Sequence, residues 1–123
     1  MPVGSIVKQP ASLSLVEGAS IWMMFVTVYG ALVGEANVQA GQTVVIPAAS
    51  SSIGLASIQV ANMLGAVPIA LTRTREKKQR LLDAGAAHVV VTDEEDLTAE
   101  ILRLTGLTRV REARLRPGAR RIT

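Results

Sequence analysis

The sequence predicts an α/β fold in which a parallel sheet of about three strands has helices on both faces. Two observations predict it. Three short runs rich in Val and Ile alternate with four helical segments, in the order α-β-α-β-α-β-α. In addition, a glycine ends three successive helical segments, at Gly65, Gly85 and Gly106, where a left-handed residue is favoured. Such alternation with short loops is typical of parallel sheets built by right-handed crossovers.

The composition indicates a single domain with an aliphatic core. The 123 residues are 49% hydrophobic and 2% aromatic, and they include no cysteine and one histidine, His88. Disulfides are therefore excluded, and the ligands for a zinc site are lacking. Residues 107–123 contain six arginines and one acid; subtracting them from the totals of 13 basic and 10 acidic residues leaves 7 and 9. Because the positive charge lies in this tail, we expect no nucleic-acid partner for the folded part.

A capping box at Ser14–Glu17 predicts a first helix from about Leu15 to Val33. The segment is apolar nearly all round, which predicts burial on more than one side. Its longest uncharged apolar run, residues 21–33, has 13 residues, whereas a membrane-spanning helix needs about 20. No basic segment precedes it, so a signal peptide is not expected. We therefore predict a core helix and no membrane partner, with peripheral membrane attachment through residues 21–33 as the alternative.

The first strand, Val44–Ile46, is a continuous β-branched run, which predicts a strand buried on both faces. The elements predicted after it are a helix at Ser52–Leu64, a strand at Val67–Leu71, a helix at Arg75–Ala84, a strand at His88–Val91 and a helix from Asp93 to about Leu104. In the helix that begins at Arg75, Leu81 and Leu82 are expected to face the core. The acids at positions 93–96 are expected to form the first turn of the last helix, where they suit the positive end of its dipole.

The turn between the first strand and the helix after it predicts a dinucleotide phosphate site. In the motif Gly-x-Gly-x-x-Gly, Ala49 and Ser51 replace the first two glycines, and Gly54 alone remains. Gly54 would let the helix pack close to the strand, while serine hydroxyls and free amides at the helix start would donate to phosphate. The expected pyrophosphate residues are Ser50, Ser51, Ser52, Ile53 and Gly54. The alternative is a serine-rich turn without a ligand.

The end of the second strand indicates which dinucleotide is bound. An acid about 20 residues after the turn would bind the 2′-hydroxyl of NAD. Instead, the segment Leu71–Arg75 contains no acid and two arginines, and Lys77 and Lys78 follow. Such residues suit the 2′-phosphate of NADP. The alternative is a solvated basic helix start; because basic residues there oppose the helix dipole, a functional role is favoured.

Three segments together resemble the zinc-independent quinone oxidoreductases of the medium-chain dehydrogenase/reductase superfamily. They are Thr27–Leu32, Gly41–Gly54 and Leu81–Val89, and the resemblance covers about residues 10–106. It implies a partial Rossmann domain, which is a doubly wound parallel sheet, and NADPH as the hydride donor. It also implies a small-molecule quinone or enone as the acceptor. A cytoplasmic location and a homodimer are further expectations.

The resemblance also implies residue roles. It places Thr72, Arg73 and Lys77 around the adenosine 2′-phosphate, and it places Thr92 where many relatives have a tyrosine near that phosphate. Thr27 would approach the nicotinamide side, or else bond its own helix. His88 is interpreted as structural, and no catalytic residue is assigned.

We divide the chain into an N-terminal remnant or linker (1–12), a partial Rossmann domain (13–106) and an irregular arginine-rich tail (107–123). Codons for Leu115–Arg121 can be chosen that encode Phe-Asp-Pro-Val-Arg-Gly-Gly one nucleotide later, which is similar to the continuation of relatives. We therefore hypothesise a frameshift from about Leu107. The sequence predicts a truncated NADPH-dependent oxidoreductase without turnover of its own. The alternative is a non-catalytic nucleotide-binding or interaction module, which an unshielded first helix and an exposed sheet edge would favour.

Overall fold

Three parallel strands form the sheet at the centre of the fold. The structure, a computed structural model, describes residues 2–106. The strands are β1 (Thr43–Ile46), β2 (Val67–Thr72) and β3 (His88–Val91), hydrogen-bonded in the order β1-β2-β3. Because side chains alternate along a strand, the pairing fixes which residues share a face. The partners Ile46, Ala70 and Val89 lie side by side on one face.

Helices flank this sheet on both faces, as predicted. The four α-helices are α1 (Leu15–Tyr29), α2 (Ser52–Met63), α3 (Lys78–Asp83) and α4 (Leu97–Thr105). A π-helical segment, Gly30–Glu35, continues α1, and short 3-10 turns lie at Val3–Ser5 and Arg75–Lys77.

The two faces of the sheet have separate apolar cores. On one face, Ile58 of α2 and Leu81 of α3 pack with Ile46, Ala70 and Val89. On the opposite face, Leu97 and Leu104 of α4 pack against Ile69, Leu71 and Val90. A third cluster joins α1 to α2 through Val28, Ala56 and Val60. The prediction of a partial doubly wound sheet is therefore confirmed.

Strand β1 is less buried than the sequence predicted. Only Ile46 in β1 is buried, whereas Thr43, Val44 and Val45 are half-buried, so the expectation of burial on both faces is wrong. Within residues 2–106, β1 pairs with β2 alone. The central strand β2, which is paired along both edges, is buried from Pro68 to Thr72.

Helix α1 starts as predicted but is not buried as predicted. Ser14 Oγ accepts from the Glu17 amide at 3.2 Å, and the Glu17 carboxylate accepts from the Ser14 amide at 2.8 Å. Of the residues of α1 only Val28 is buried, while Trp22 is 65% exposed. The helix packs on α2 with one face, and within residues 2–106 its remaining apolar side chains are uncovered because no other element reaches them.

The continuous helical segment Leu15–Glu35 ends two residues beyond the predicted end at Val33. Its 21 residues are long and apolar enough to cross a membrane by length and composition. This is weak evidence of a membrane segment, because core helices and signal sequences share these properties. The predicted start at Leu15 is confirmed, and the run of residues 21–33 is the central part of the helical segment.

The start of α4 also differs from the prediction. Asp96 is its N-cap, and Asp96 Oδ1 accepts from the Ala99 amide at 3.0 Å. The acids before it lie in a turn, where Glu95 accepts from the Val91 amide at 2.7 Å. A carboxylate that caps a helix satisfies the first-turn amides from outside, so the acidic run precedes the helix and does not form its first turn.

Helix α3 is shorter than predicted. The segment expected as one helix from Arg75 begins with a 3-10 turn, and its α-helical part starts at Lys78. Leu81 is fully buried, as predicted, but Leu82 is 37% exposed. Neighbouring residues on a helix point about 100° apart, so two consecutive leucines do not share the core equally.

Candidate cofactor site

The turn after β1 has an unusual backbone. Ala48 has a positive φ of 47°, and its carbonyl accepts from the Ser51 amide at 3.0 Å. Ala49 is completely buried, and its amide donates to the carbonyl of Leu71 in β2 at 3.2 Å. A left-handed residue with a side chain costs about 1–2 kcal/mol, and such residues concentrate at functional sites. The turn is therefore held against the end of β2 despite this cost.

Helix α2 begins at the end of the turn with Ser51 as its N-cap. Ser51 Oγ accepts from the Gly54 amide at 3.1 Å, and the Ser51 carbonyl accepts from the Leu55 amide at 2.9 Å. The Gly54 amide, which the sequence predicted to be free for phosphate, is thus already paired. Ser52 and Ile53 precede it in the first turn, where amides have no acceptor inside an α-helix. Their amides are the phosphate donors that the geometry supports.

Gly54 makes the close approach of α2 to the turn possible, as predicted. A β-carbon placed on Gly54 would lie 2.5 Å from both the Cα and the carbonyl oxygen of Ala49. No side chain fits there unless the helix moves away from the turn. This glycine therefore sets the distance between the start of α2 and the end of β1.

Threonines join the ends of β2 and β3. Thr72 is buried, and its hydroxyl donates to the Thr74 carbonyl at 3.2 Å. The amide and the hydroxyl of Thr92 both donate to the Thr72 carbonyl, at 2.8 Å and 3.3 Å. In this arrangement both hydroxyl protons point at backbone carbonyls. A direct bond from either hydroxyl to a phosphate would require the side chain to rotate.

A basic side chain from the segment after β2 lies close to the serine turn (Ser50–Ser52). Lys77 Nζ lies 3.5 Å from Ser50 Oγ, although the two residues are 27 positions apart in the sequence. Arg73 is exposed and forms no hydrogen bond or ion pair within residues 2–106. Arg75 is held elsewhere, since its Nε and Nη2 donate to Glu94 Oε2 at 3.1 Å and 2.8 Å. Lys77 thus lies beside the turn, while Arg73 follows β2 and has no hydrogen bond or ion pair within residues 2–106.

All of these groups share the carboxyl edge of the sheet. Ser50 and Thr92 follow the ends of β1 and β3, Thr72 is the last residue of β2, and the three strands run parallel. Ligands of open parallel α/β sheets bind at this edge. The structure therefore places the predicted serine turn, the two threonines and Lys77 on one side of the molecule.

Two other sequence candidates lie elsewhere. Thr27 Oγ1 donates to the Met23 carbonyl at 2.7 Å, so the alternative of a bond within its own helix is the one observed. His88 is exposed at the first residue of β3, at the opposite end of the sheet from the serine turn. In the described residues, no group of three or more His, Asp or Glu side chains is placed to hold a metal ion.

Comparison with known proteins gives the family. Residues 52–113 match the family model of the zinc-binding dehydrogenases. The chain belongs to the zinc-binding dehydrogenase family. Within it, the chain is quinone oxidoreductase-like and part of the medium-chain dehydrogenase/reductase superfamily, as the sequence predicted. The matched range begins at Ser52, the first residue of α2.

Individual relatives of the chain agree with that assignment. It is 34% identical over 106 residues to a quinone oxidoreductase-like protein 2 homolog of Nematostella vectensis, covering 85% of this chain and 29% of the relative. It is 35% identical over 103 residues to a highly reducing polyketide synthase of Gibberella zeae, covering 81% and 4%. The structure of Escherichia coli quinone oxidoreductase complexed with NADPH matches with a TM-score of 0.74 and 31% identity, covering 81% and 31%. The chain thus spans less than a third of these relatives.

Proposed function

We propose that the carboxyl edge of this sheet binds NADPH, and that the chain is the cofactor-binding part of a hydride-transferring oxidoreductase. The observation that carries the proposal is the 3.5 Å approach of Lys77 Nζ to Ser50 Oγ. This contact places a cation from the segment after β2 beside the serine turn that follows β1. A dinucleotide phosphate bound on the turn would meet both the cation and the amides at the start of α2.

The residues at this edge suit two parts of a dinucleotide, the pyrophosphate and the adenosine end. For the pyrophosphate, the turn offers the hydroxyls of Ser50, Ser51 and Ser52 and the amides of Ser52 and Ile53. For the adenosine end, Arg73 and Lys77 suit a 2′-phosphate. No carboxylate stands at Thr72 or Arg73 to accept from a ribose 2′-hydroxyl, so the fit favours NADPH over NADH.

The hydroxyls of Thr72 and Thr92 contribute to this proposal indirectly. Both donate to backbone carbonyls, and Thr92 ties the end of β3 to the carbonyl of Thr72. We propose that they hold the adenosine end of the site in shape. A direct contact with the 2′-phosphate would follow rotation of either side chain.

The reaction proposed is hydride transfer to a small-molecule quinone or enone. Bound NADPH supplies the hydride, while the residues of this chain bind and orient the cofactor. The acceptor is proposed because the chain resembles quinone oxidoreductases, of which it spans about 30%. We assign no catalytic residue. We further propose a cytoplasmic location and the division into residues 1–12, 13–106 and 107–123; the tail and its frameshift hypothesis lie outside the described residues.

Calorimetric titration of the full chain with NADPH and NADH, combined with a turnover assay, tests the proposal. Saturable binding that favours NADPH and is weakened by Arg73→Ala supports it. Loss of NADPH absorbance on addition of a quinone would extend it to catalysis. Absence of binding to either nucleotide would refute it.

The second candidate function is a nucleotide-binding or interaction module without catalysis. The uncovered apolar side chains of α1, including Trp22 at 65% exposure, favour it because such surfaces usually bind a partner. Absence of saturable binding to NADPH and NADH would support an interaction module over the first candidate.

A further inference from the structure

The ion pair between Arg75 and Glu94 joins two loops at the carboxyl edge of the sheet. Arg75 Nε and Nη2 donate to Glu94 Oε2 at 3.1 Å and 2.8 Å. Arg75 opens the 3-10 turn that follows β2, and Glu94 lies in the turn that follows β3. In that same turn, Thr92 donates to the carbonyl of Thr72 at the end of β2. The ion pair therefore bridges the two loops at the adenosine end of the proposed cofactor site.

The end of β2 lies between two cations. Strand β2 is the middle strand, with β1 on one side and β3 on the other. On the β1 side, Lys77 Nζ lies 3.5 Å from Ser50 Oγ. On the β3 side, Arg75 is paired with Glu94. Because the ribose of a bound dinucleotide lies at the end of the second strand, its 2′-phosphate would have Lys77 on one side and Arg75 on the other.

The pairing of Arg75 with Glu94 is of a kind that a phosphate can replace. The two side chains are 77% and 43% exposed, and exposed ion pairs are weak because water and salt screen them. Both nitrogen donors meet the same carboxylate oxygen, so the pair lacks the two parallel bonds of the strong bidentate form. A phosphate carries roughly two negative charges and three acceptor oxygens, which makes it the stronger partner for a guanidinium.

We propose that Glu94 is a specificity-determining residue, which competes with the 2′-phosphate of NADPH for Arg75 and so lowers the preference for NADPH over NADH. When NADPH binds, Arg75 exchanges the Glu94 carboxylate for the phosphate. NADH has a hydroxyl at that position and leaves the ion pair closed. The inference rests on the proposed NADPH site and adds the residue that sets its selectivity.

Calorimetric titration of the full chain and of Glu94→Gln with NADPH and NADH tests the proposal. The variant keeps the size of the side chain but loses its charge, so Arg75 is released to the phosphate. Its affinity for NADPH should rise by about threefold or more, which is the scale of an exposed ion pair. Its affinity for NADH should stay near that of wild type. Unchanged or weaker NADPH binding would overturn the proposal, and weaker binding would show that the closed pair supports the site.

A matched control separates release of Arg75 from a general change of charge. Glu76 is an exposed acid in the same 3-10 turn, and within residues 2–106 it forms no hydrogen bond or ion pair. Glu76→Gln should therefore raise the affinity for NADPH less than Glu94→Gln does. Equal gains from the two substitutions would contradict the competition for Arg75.

A double substitution tests whether Glu94 acts through Arg75. In a chain that carries Arg75→Met, adding Glu94→Gln should no longer improve NADPH binding. The same gain with and without Arg75 would overturn the proposal. Far-UV circular dichroism checks that each variant folds. If neither wild type nor any variant binds NADPH, the cofactor site itself is refuted and this inference with it, whereas NADPH binding that is indifferent to Glu94 removes this inference alone.

Discussion

The backbone of Ala49 occupies the space in which a side chain of Gly54 would begin. The distance from a β-carbon at Gly54 to the Ala49 carbonyl oxygen would be 2.5 Å. This contact holds the start of α2 against the turn that follows β1. The amides of Ser52 and Ile53 consequently face the carboxyl edge of the sheet at a fixed position. The proposed phosphate site depends on this packing.

Gly54→Ala should destabilise the fold by roughly 1–3 kcal/mol, because an added methyl group must displace backbone atoms. It should also weaken NADPH binding, since the first turn of α2 must shift. Urea denaturation measures the first effect. The matched control is Gly30→Ala: Gly30 has helical angles and open space around it, so the variant should gain about 0.5–1 kcal/mol. Equal effects of the two substitutions would contradict the packing role of Gly54.

Ala48→Gly should stabilise the protein by about 0.5–1 kcal/mol. Relief of the left-handed strain at Ala48 gives about 1–2 kcal/mol, which exceeds the entropic cost of a new glycine. Ala49→Gly is the control, because Ala49 is fully buried and outside the positive-φ residues. It should lose stability. Denaturation midpoints of the two variants should therefore move in opposite directions.

The position of Asp96 before α4 leads to a third prediction. Asp96→Ala should cost about 1 kcal/mol, because it removes the acceptor for the Ala99 amide. Asp93→Ala, which changes an exposed acid in the preceding turn, should be nearly neutral. If α4 began at Asp93, as the acidic run suggested, the order of the two effects would be reversed. Thermal or urea denaturation of both variants distinguishes the cases.

The capping box of α1 predicts a pH dependence. The Ser14 amide, bonded to the Glu17 carboxylate, lowers the pKa of Glu17 below its ordinary value of 4.5, and the Ser14 hydroxyl adds to the effect. A lowered folded-state pKa means that this contribution to stability is present above pH 4.5 and is lost as the pH falls through the folded pKa. The stability difference between wild type and Glu17→Gln should therefore shrink under acid. A difference that grew below pH 4.5 would contradict the hydrogen bond.

Local sequence signals predicted much of the fold. The bounds of β3 at His88–Val91 and the capping box at Ser14 both follow from neighbouring residues, and the structure confirms both. Burial was harder to predict, because it depends on what packs against an element. Val45 and Trp22 are both apolar, yet neither is buried. Val45 lies in β1, whose outer edge pairs with no strand within residues 2–106, and Trp22 lies on the exposed side of α1, which packs on α2 with its other side.

The residue types of the candidate site could be predicted from the sequence, but the contacts between these residues could not. The serine turn and the acid-free end of β2 stand out in the sequence. The approach of Lys77 to Ser50 and the pairing of Arg75 with Glu94 join residues 27 and 19 positions apart, and no local pattern encodes them. The sequence also did not predict the positive φ of Ala48, because glycine or asparagine usually occupies that conformation.

The most direct test of the central claim is a calorimetric titration of NADPH and NADH into the wild-type chain, Lys77→Ala and Lys78→Ala. The two lysines are adjacent and carry the same charge, but Lys78 lines a cleft with Glu100 and Arg103 instead of the serine turn. Loss of a charged phosphate contact corresponds to about 1.5–3 kcal/mol. Lys77→Ala should therefore weaken NADPH binding at least tenfold, and more than it weakens NADH binding, while Lys78→Ala should bind as wild type does. Equal affinities for the two nucleotides, or equal losses in the two variants, would contradict the proposed site.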